Sequence, residues 1–265
     1  MIDSILLIPT NPILSVIPLS LIYVFLHKRT TVNLIFTFLF ISVSLNALLK
    51  FFFQIPLHSS LNNQCWWALP SGHMQYGIVF WGIMWIHQNY NLKVLLLFIV
   101  LLIASGWKMN LNNYHTLFEM ICAIPPAIII LILYALVLKR IDFQNKNHLF
   151  RMNILSIIFQ LIIMTIVKSP CLNYKLGWMW LHLGASIVLM SQYFLNSWSF
   201  LTLQSLEKKQ LKPISVVFTL LTIQLAICFA IILKYNNEFI QLICGIIFII
   251  VIYYNSELYK KLIKQ

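Results

Sequence analysis

Two histidines and a carboxylate have the residue types and spacing of acid–base and nucleophilic chemistry. His115 precedes Glu119 by four residues, so the two side chains share a face wherever this stretch is helical. A carboxylate in that place can orient a histidine ring and stabilise the positive charge that the ring gains as a nucleophile. His73 lies upstream and can protonate a leaving group as a general acid. We therefore predict that His115, His73 and Glu119 are the catalytic residues.

The segment Pro70–His73 has the composition of a phosphate cradle at the start of a helix. Its proline suits a first turn, Ser71 can cap the helix and donate its hydroxyl, and Gly72 lets an oxyanion approach the backbone. The N–H groups and the positive dipole end of a helix start favour a phosphate. With two lysines added as cations, the predicted phosphate-binding residues are Lys50, Ser71, Gly72 and Lys108. Such a site can transfer a phosphoryl group without a metal ion or a cofactor.

The elements that must position these residues are membrane helices. Hydrophobic residues make up 61% of the chain, charged residues make up 9%, and the mean hydropathy is +0.88. A spanning helix needs about 20 apolar residues. The 265 residues hold about nine such runs, which predicts an all-α, polytopic membrane helix bundle. The predicted spans are 5–26, 32–53, 72–88, 92–107, 116–138, 150–167, 177–197, 213–233 and 239–255.

The net charge of +12 indicates membrane topology rather than nucleic-acid binding, because the basic residues cluster in alternate connections. Most of them lie after the first, third, fifth and seventh spans and in the C-terminal tail. Under the positive-inside rule these segments are cytoplasmic, which predicts an N-terminus outside and a C-terminus inside. The candidate site residues then all meet on the extracytoplasmic side. The expected location is a bacterial inner membrane with the active site facing the periplasm.

The longest basic connection, residues 139–151, is expected to divide the bundle. Residues 1–138 form a five-helix half that carries all the candidate chemistry, and residues 139–265 form a four-helix membrane extension of unknown role. His182, in the seventh span, has no matching acid and is expected to pack between helices.

Several other residues are weaker candidates. The five cysteines include no CxxC pair, so we expect no zinc or iron–sulfur site. Cys65 and Cys171 are both predicted outside, where an oxidising compartment would let them pair. The loop residues that could add phosphate contacts are His58, Asn110, Asn112 and Asn113. The tryptophans expected in an interfacial belt are Trp66, Trp67 and Trp107.

Taken together, Lys50, the Pro70–His73 segment, His115 and Glu119 resemble motifs of the type 2 phosphatidic acid phosphatase superfamily. That family includes membrane lipid phosphatases and vanadium haloperoxidases, and it carries the motifs K-x6-R-P, PSGH and S-R-x5-H-x3-D. The resemblance covers roughly residues 45–125, so the last four predicted spans would be an addition. It implies a lipid phosphate substrate and a phosphohistidine intermediate formed on His115.

The second family motif is intact, and the other two depart from the pattern. Leu57 and His58 replace the Arg-Pro pair of the first motif. In the third motif Lys108 and Met109 occupy the Ser-Arg pair, and Glu119 replaces the aspartate. Both family arginines are therefore missing. Since lysine binds phosphate as a point charge and not as a bidentate fork, Lys108 would substitute by charge alone.

We expect an integral membrane lipid phosphatase that hydrolyses a phosphate group from a lipid at the extracytoplasmic face. Two alternatives stay open: a lipid phosphotransferase, and a non-catalytic lipid-binding or transport protein. Product analysis with and without an acceptor lipid separates hydrolysis from transfer, and binding of an anionic lipid without turnover favours the third. The expected partners are the lipid bilayer and a membrane lipid phosphate. No nucleic acid is expected, and the sequence identifies no protein partner.

Overall fold

A computed structural model describes residues 29–57, 67–140 and 146–167, together with Thr10 and four residues near the C-terminus, Ile243, Cys244, Ile246 and Ile247. Within these residues the fold is helical, and the only strand-like contact is an isolated antiparallel bridge between Pro56 and Trp67. The helices are α1 (Arg29–Phe53), α2 (Gly72–His87), α3 (Leu92–Leu111), α4 (Leu117–Ile121), α5 (Ile124–Arg140) and α6 (Lys146–Ile166). The all-α class predicted from the sequence is confirmed for this part of the chain.

Five of the nine predicted spans fall within the described ranges, and each of them is helical. The stretch predicted as one span at 116–138 is interrupted by a turn at residues 122–123. Pro125 and Pro126 explain the break, because neither can donate to the turn before it and both suit the first turn of α5. The first, seventh, eighth and ninth predicted spans lie outside the described residues, apart from the five isolated positions.

Helix α1 lies at the centre of the described bundle and packs against α2, α5 and α6. Near the start of α1 the Thr37 hydroxyl donates to Asn153 Oδ1 at 3.0 Å, and near its end Ala47 packs with Ile163 and Val167. Helices α1 and α6 are therefore parallel. Helix α6, which the sequence assigns to the C-terminal extension, packs directly on the helix that carries Lys50.

Helix α2 runs parallel to the α4–α5 pair. Its start is joined to α4, because the Ser71 N–H donates to the Glu119 carbonyl at 3.0 Å. Its end is joined to α5, where His87 Nε2 lies 2.5 Å from the Tyr134 hydroxyl. Between these points Gly82 lets the helices approach, since an added Cβ would lie 2.4 Å from the Leu131 side chain.

Three described segments are long and apolar enough to cross a membrane: Leu34–Phe53, Leu92–Leu111 and Leu117–Arg140. Large apolar side chains are exposed along the outer faces of α3, α5 and α6. A soluble domain rarely exposes so extended an apolar surface, whereas a lipid bilayer covers it. The described part of the chain is thus a helical membrane bundle.

Candidate active site

His115 and Glu119 form a hydrogen-bonded pair at one end of the bundle. His115 Nδ1 lies 2.8 Å from Glu119 Oε2, and only 8% of either side chain is exposed. The same Oε2 accepts the Thr116 N–H at 3.1 Å, and the Thr116 hydroxyl accepts the Glu119 N–H at 3.3 Å. This reciprocal capping box fixes the start of α4 and, with it, the carboxylate beside the histidine.

A tight turn between α3 and α4 presents His115 to this carboxylate. Asn113 takes a left-handed conformation with φ of 55°, which asparagine tolerates better than most residues. The Tyr114 N–H then donates to the Met109 carbonyl at 2.9 Å, so the chain reverses within a few residues. The reversal directs the ring of His115 back towards the start of α2.

His73 lies at the start of α2 and faces His115. The two ring centres are 6.4 Å apart, with an angle of 58° between the ring planes. His73 is exposed, whereas the His115 side chain is largely buried. At this spacing both rings can contact one small tetrahedral anion. The structure therefore brings together the three residues predicted to be catalytic.

Ser71 is the N-cap of α2, as the sequence indicates. Its hydroxyl accepts the Met74 N–H at 3.4 Å, and the residue is fully buried. Its own N–H is used by the Glu119 carbonyl. Ser71 thus acts mainly on the geometry of the helix start. Gly72 is the first residue of α2 and directly precedes His73.

Lys50 packs against the backbone that leads into the start of α2. The residue is only 1% exposed, and its ammonium group donates to the carbonyl of Ala68 at 3.0 Å and to the carbonyl of Trp67. Both carbonyls belong to residues 67–70, which we name the approach segment because it leads into the Ser71 cap. The structure places Lys50 near the site, but with its charge directed at backbone oxygen.

Lys108, the other predicted phosphate-binding lysine, lies in the last turn of α3 and is partly exposed. Its neighbour Met109 belongs to a buried cluster with Met74, Met120 and Ala123. This cluster connects α2, α3 and the start of the α4–α5 pair at the end of the bundle that holds His73 and His115. Lys108 is therefore held at the same end of the bundle as the catalytic candidates.

The sequence reasoning missed a buried polar network on α1. Asn46 Nδ2 donates to the Pro70 carbonyl at 3.2 Å and to Gln75 Oε1 at 2.9 Å. Gln75 Nε2 in turn donates to the Ser42 carbonyl at 3.0 Å. The signal was present in the sequence, because Ser42, Asn46 and Lys50 recur every four residues within an apolar run.

Several sequence predictions lie outside the described residues. These are the possible Cys65–Cys171 pairing and the positions of His58, Trp66 and His182. Asn110, by contrast, is described, and its amide reaches the His115 carbonyl at the long distance of 3.5 Å. Within the described ranges, no group of three or more histidine, cysteine, aspartate or glutamate side chains is arranged to hold a metal ion.

No protein-family model matches the chain, and neither the curated proteins nor the solved structures contain a significant match. What the fold and the site define is a helical membrane protein with a paired histidine and carboxylate facing a second histidine at a helix start. The geometry of this site is therefore what indicates a function.

Proposed function

We propose that this protein is a metal-independent lipid phosphate phosphatase. One observation carries the proposal: the His115–Glu119 pair, 2.8 Å apart, faces the ring of His73 at the start of α2. A nucleophile held by a carboxylate, a second histidine for proton transfer and a helix start for an anion are the parts that phosphoryl transfer requires.

The first step forms a phosphohistidine on His115. When the Nδ1–H group donates a hydrogen bond to the Glu119 carboxylate, the lone pair of the ring lies on Nε2. Nε2 attacks phosphorus in line, and a new N–P bond forms as the P–O bond to the lipid alcohol breaks. His73 gives its proton to the leaving oxygen. Glu119 stabilises the imidazolium that results, and the N-terminal end of α2 stabilises charge on the phosphate oxygens.

The second step returns the enzyme to its starting state. Water attacks the phosphohistidine, and His73, now neutral, takes a proton from that water. The N–P bond breaks, inorganic phosphate leaves, and Nε2 of His115 recovers its lone pair. Both histidines then hold the protons with which they began, so the cycle needs no external oxidant, reductant or cofactor.

A lipid substrate is favoured by the surroundings of the histidines. Four large apolar residues lie close to His115 in the sequence, at the end of α3 and in α4, and their side chains are exposed: Trp107, Leu111, Leu117 and Phe118. Such a rim suits the acyl or prenyl part of a membrane lipid, and it does not suit a freely soluble phosphate ester.

The distribution of charge in space favours an extracytoplasmic site. The end of the bundle opposite His73 and His115 holds most of the described basic residues: Arg29, Lys93, Lys139, Arg140, Lys146 and Arg151. The site end holds Lys50 and Lys108. Under the positive-inside rule the first end is cytoplasmic. We propose the nine-span arrangement with an outer N-terminus and an inner C-terminus on this basis.

Phosphate release from a panel of lipid phosphates, with the full chain in detergent, tests the proposal. Phosphatidate, a polyprenyl diphosphate and a phosphorylated glycolipid cover the main headgroup classes. We expect release with at least one of them, and none from the His115→Ala variant. A parallel reaction with an acceptor alcohol reports transfer in place of hydrolysis. Binding of anionic lipid by the wild type without any turnover across the panel contradicts the proposal and favours a binding or transport protein.

A further inference from the structure

One face of α1 supplies side-chain donors to the approach segment. Lys50 binds the carbonyls of Trp67 and Ala68, and Asn46, one turn earlier, binds the carbonyl of Pro70. Three backbone carbonyls immediately before the Ser71 cap are therefore held by two side chains. Buried carbonyls need such partners, because water cannot reach them.

The approach segment is also held from two other directions. The Ala68 N–H donates to the Ile55 carbonyl at 2.7 Å, which ties the segment to the chain leaving α1. The Ser71 N–H donates to the Glu119 carbonyl at 3.0 Å, which ties it to the catalytic carboxylate residue. Ala68 and Ser71 are fully buried. Hydrogen bonds of the approach segment and the Ser71 cap thus connect α1 to the His115–Glu119 pair.

The amide of Asn46 is fixed in one orientation by its neighbours. Both hydrogens on Nδ2 are used, one by Pro70 and one by Gln75, whose own amide is held by the Ser42 carbonyl. Asn46 Oδ1 is buried and has no hydrogen-bond partner within the described part of the chain. The Asn46 amide is therefore held in place through its two donor hydrogens, to the Pro70 carbonyl and to Gln75.

We propose that Lys50 and Asn46 are positioning residues that hold the approach segment, and through it the start of α2, in register with His115 and Glu119. Lys50 in this assignment acts on phosphate only through the backbone that it binds. Its 1% exposure and the direction of its ammonium group carry this inference. The assignment rests on the proposed function, because the register matters only if phosphate binds between the cradle and the nucleophile.

Hydrogen exchange of the ligand-free full chain in detergent tests the positioning role without any need for turnover. Lys50→Met and Asn46→Leu keep side-chain size and remove the donors, and Lys93→Met at the opposite end is the matched control. We expect a peptide covering residues 67–76 to exchange about tenfold faster in both variants, with residues 84–91 unchanged. The control should match the wild type. Wild-type exchange at 67–76 in both variants overturns the proposal.

Kinetics then separate positioning from direct phosphate binding. Because Lys50 and Asn46 act on one segment, the double variant should lose no more turnover than the worse single variant. Lys50→Arg should behave like Lys50→Met, since the larger planar group does not fit the buried carbonyl pocket. Additive losses of turnover in the double variant overturn the proposal. It is also overturned if Lys50→Arg keeps wild-type turnover and, of the two lysine variants, only Lys50→Met weakens inhibition by inorganic phosphate. If the wild type never turns over lipid phosphate, the proposed function fails and the exchange result still decides the positioning role.

Discussion

Helix α2 carries a histidine at each end, and the two have different surroundings. His73, at the start, faces His115 and its carboxylate partner across 6.4 Å between ring centres. His87, at the end, lies 2.5 Å from the hydroxyl of Tyr134, which is fully buried against Phe38. The first histidine can share an anion with a nucleophile. The second makes a structural contact between two packed helices.

The direction of the helix dipole adds to the difference between the two ends of α2. A helix start offers N–H groups and a positive dipole end, and a helix end offers carbonyls and a negative one. An anion such as phosphate is therefore attracted to the His73 end and repelled from the His87 end. A histidine in a membrane helix is thus a catalytic candidate only when its end of the helix and its partners suit the substrate.

The largest expected effect comes from removing the nucleophile. His115→Ala should reduce phosphate release to the assay floor, because the described site offers no second nucleophile with a carboxylate partner. His87→Gln, at the other end of α2, should keep turnover within about twofold of the wild type, since it touches no part of the proposed reaction. Equal losses in the two variants, measured by phosphate release, would erase the functional distinction between the ends of α2.

Glu119 should show a graded response. Glu119→Gln keeps the shape but removes the charge that supports the imidazolium, and by analogy with catalytic triads it should cost up to roughly 10⁴-fold in kcat. Glu119→Asp keeps the charge and should retain more activity. Its shorter side chain also weakens the capping box, at about 1 kcal/mol of stability. The expected order of turnover is wild type, Asp, Gln, then His115→Ala. A Gln variant as active as the Asp variant would show that the carboxylate charge is unimportant.

Gly82 tests how closely α2 must pack on α5. An added Cβ would lie 2.4 Å from the Leu131 side chain, so Gly82→Ala should lower the free energy of unfolding by about 1–3 kcal/mol. Gly106→Ala is the matched control, because its nearest neighbour at 2.8 Å is the flexible tip of Met74. Thermal unfolding in detergent measures both. A more stable Gly82→Ala variant would mean that this contact does not set the helix spacing.

The smallest effect is expected for the hydroxyl at the His87 end. Tyr134→Phe removes the hydrogen bond to His87 and should cost about 1 kcal/mol of stability, the usual value for one such bond. Turnover should be unchanged, because the pair lies at the opposite end of α2 from the proposed site. A Tyr134→Phe variant that keeps its melting temperature but loses turnover would reverse the roles assigned to the two ends.

Much of the described fold could be predicted from hydrophobic runs alone, since spanning helices need little else. Two of the differences between the predicted spans and the helices have local causes. Helix α3 continues past Lys108 to Leu111, because polar residues are tolerated in a last turn that reaches the membrane surface. The break before α5 could have been predicted from Pro125 and Pro126, which cannot continue the hydrogen bonding of α4.

The site was predictable where its contacts are local. His115 precedes the Thr116 N-cap and lies outside α4, so its contact with Glu119 does not arise from helical spacing as the sequence suggested. The capping box that holds the Glu119 carboxylate there could have been predicted from Thr116 followed three residues later by Glu119. The direction of Lys50 was not predictable, because it depends on where the approach segment packs against α1. Sequence gives the end of a helix on which a lysine lies, and tertiary packing decides which atoms it binds.

In the proposed reaction His115 carries the phosphate between the two steps. Wild-type protein mixed with a ³²P-labelled lipid phosphate, quenched with detergent at alkaline pH and digested, reports the residue that is labelled. We expect label on the peptide containing His115, lost as phosphate is released, and no label in the His115→Ala variant. Label on a different residue during turnover, or wild-type phosphate release by His115→Ala, would contradict this mechanism.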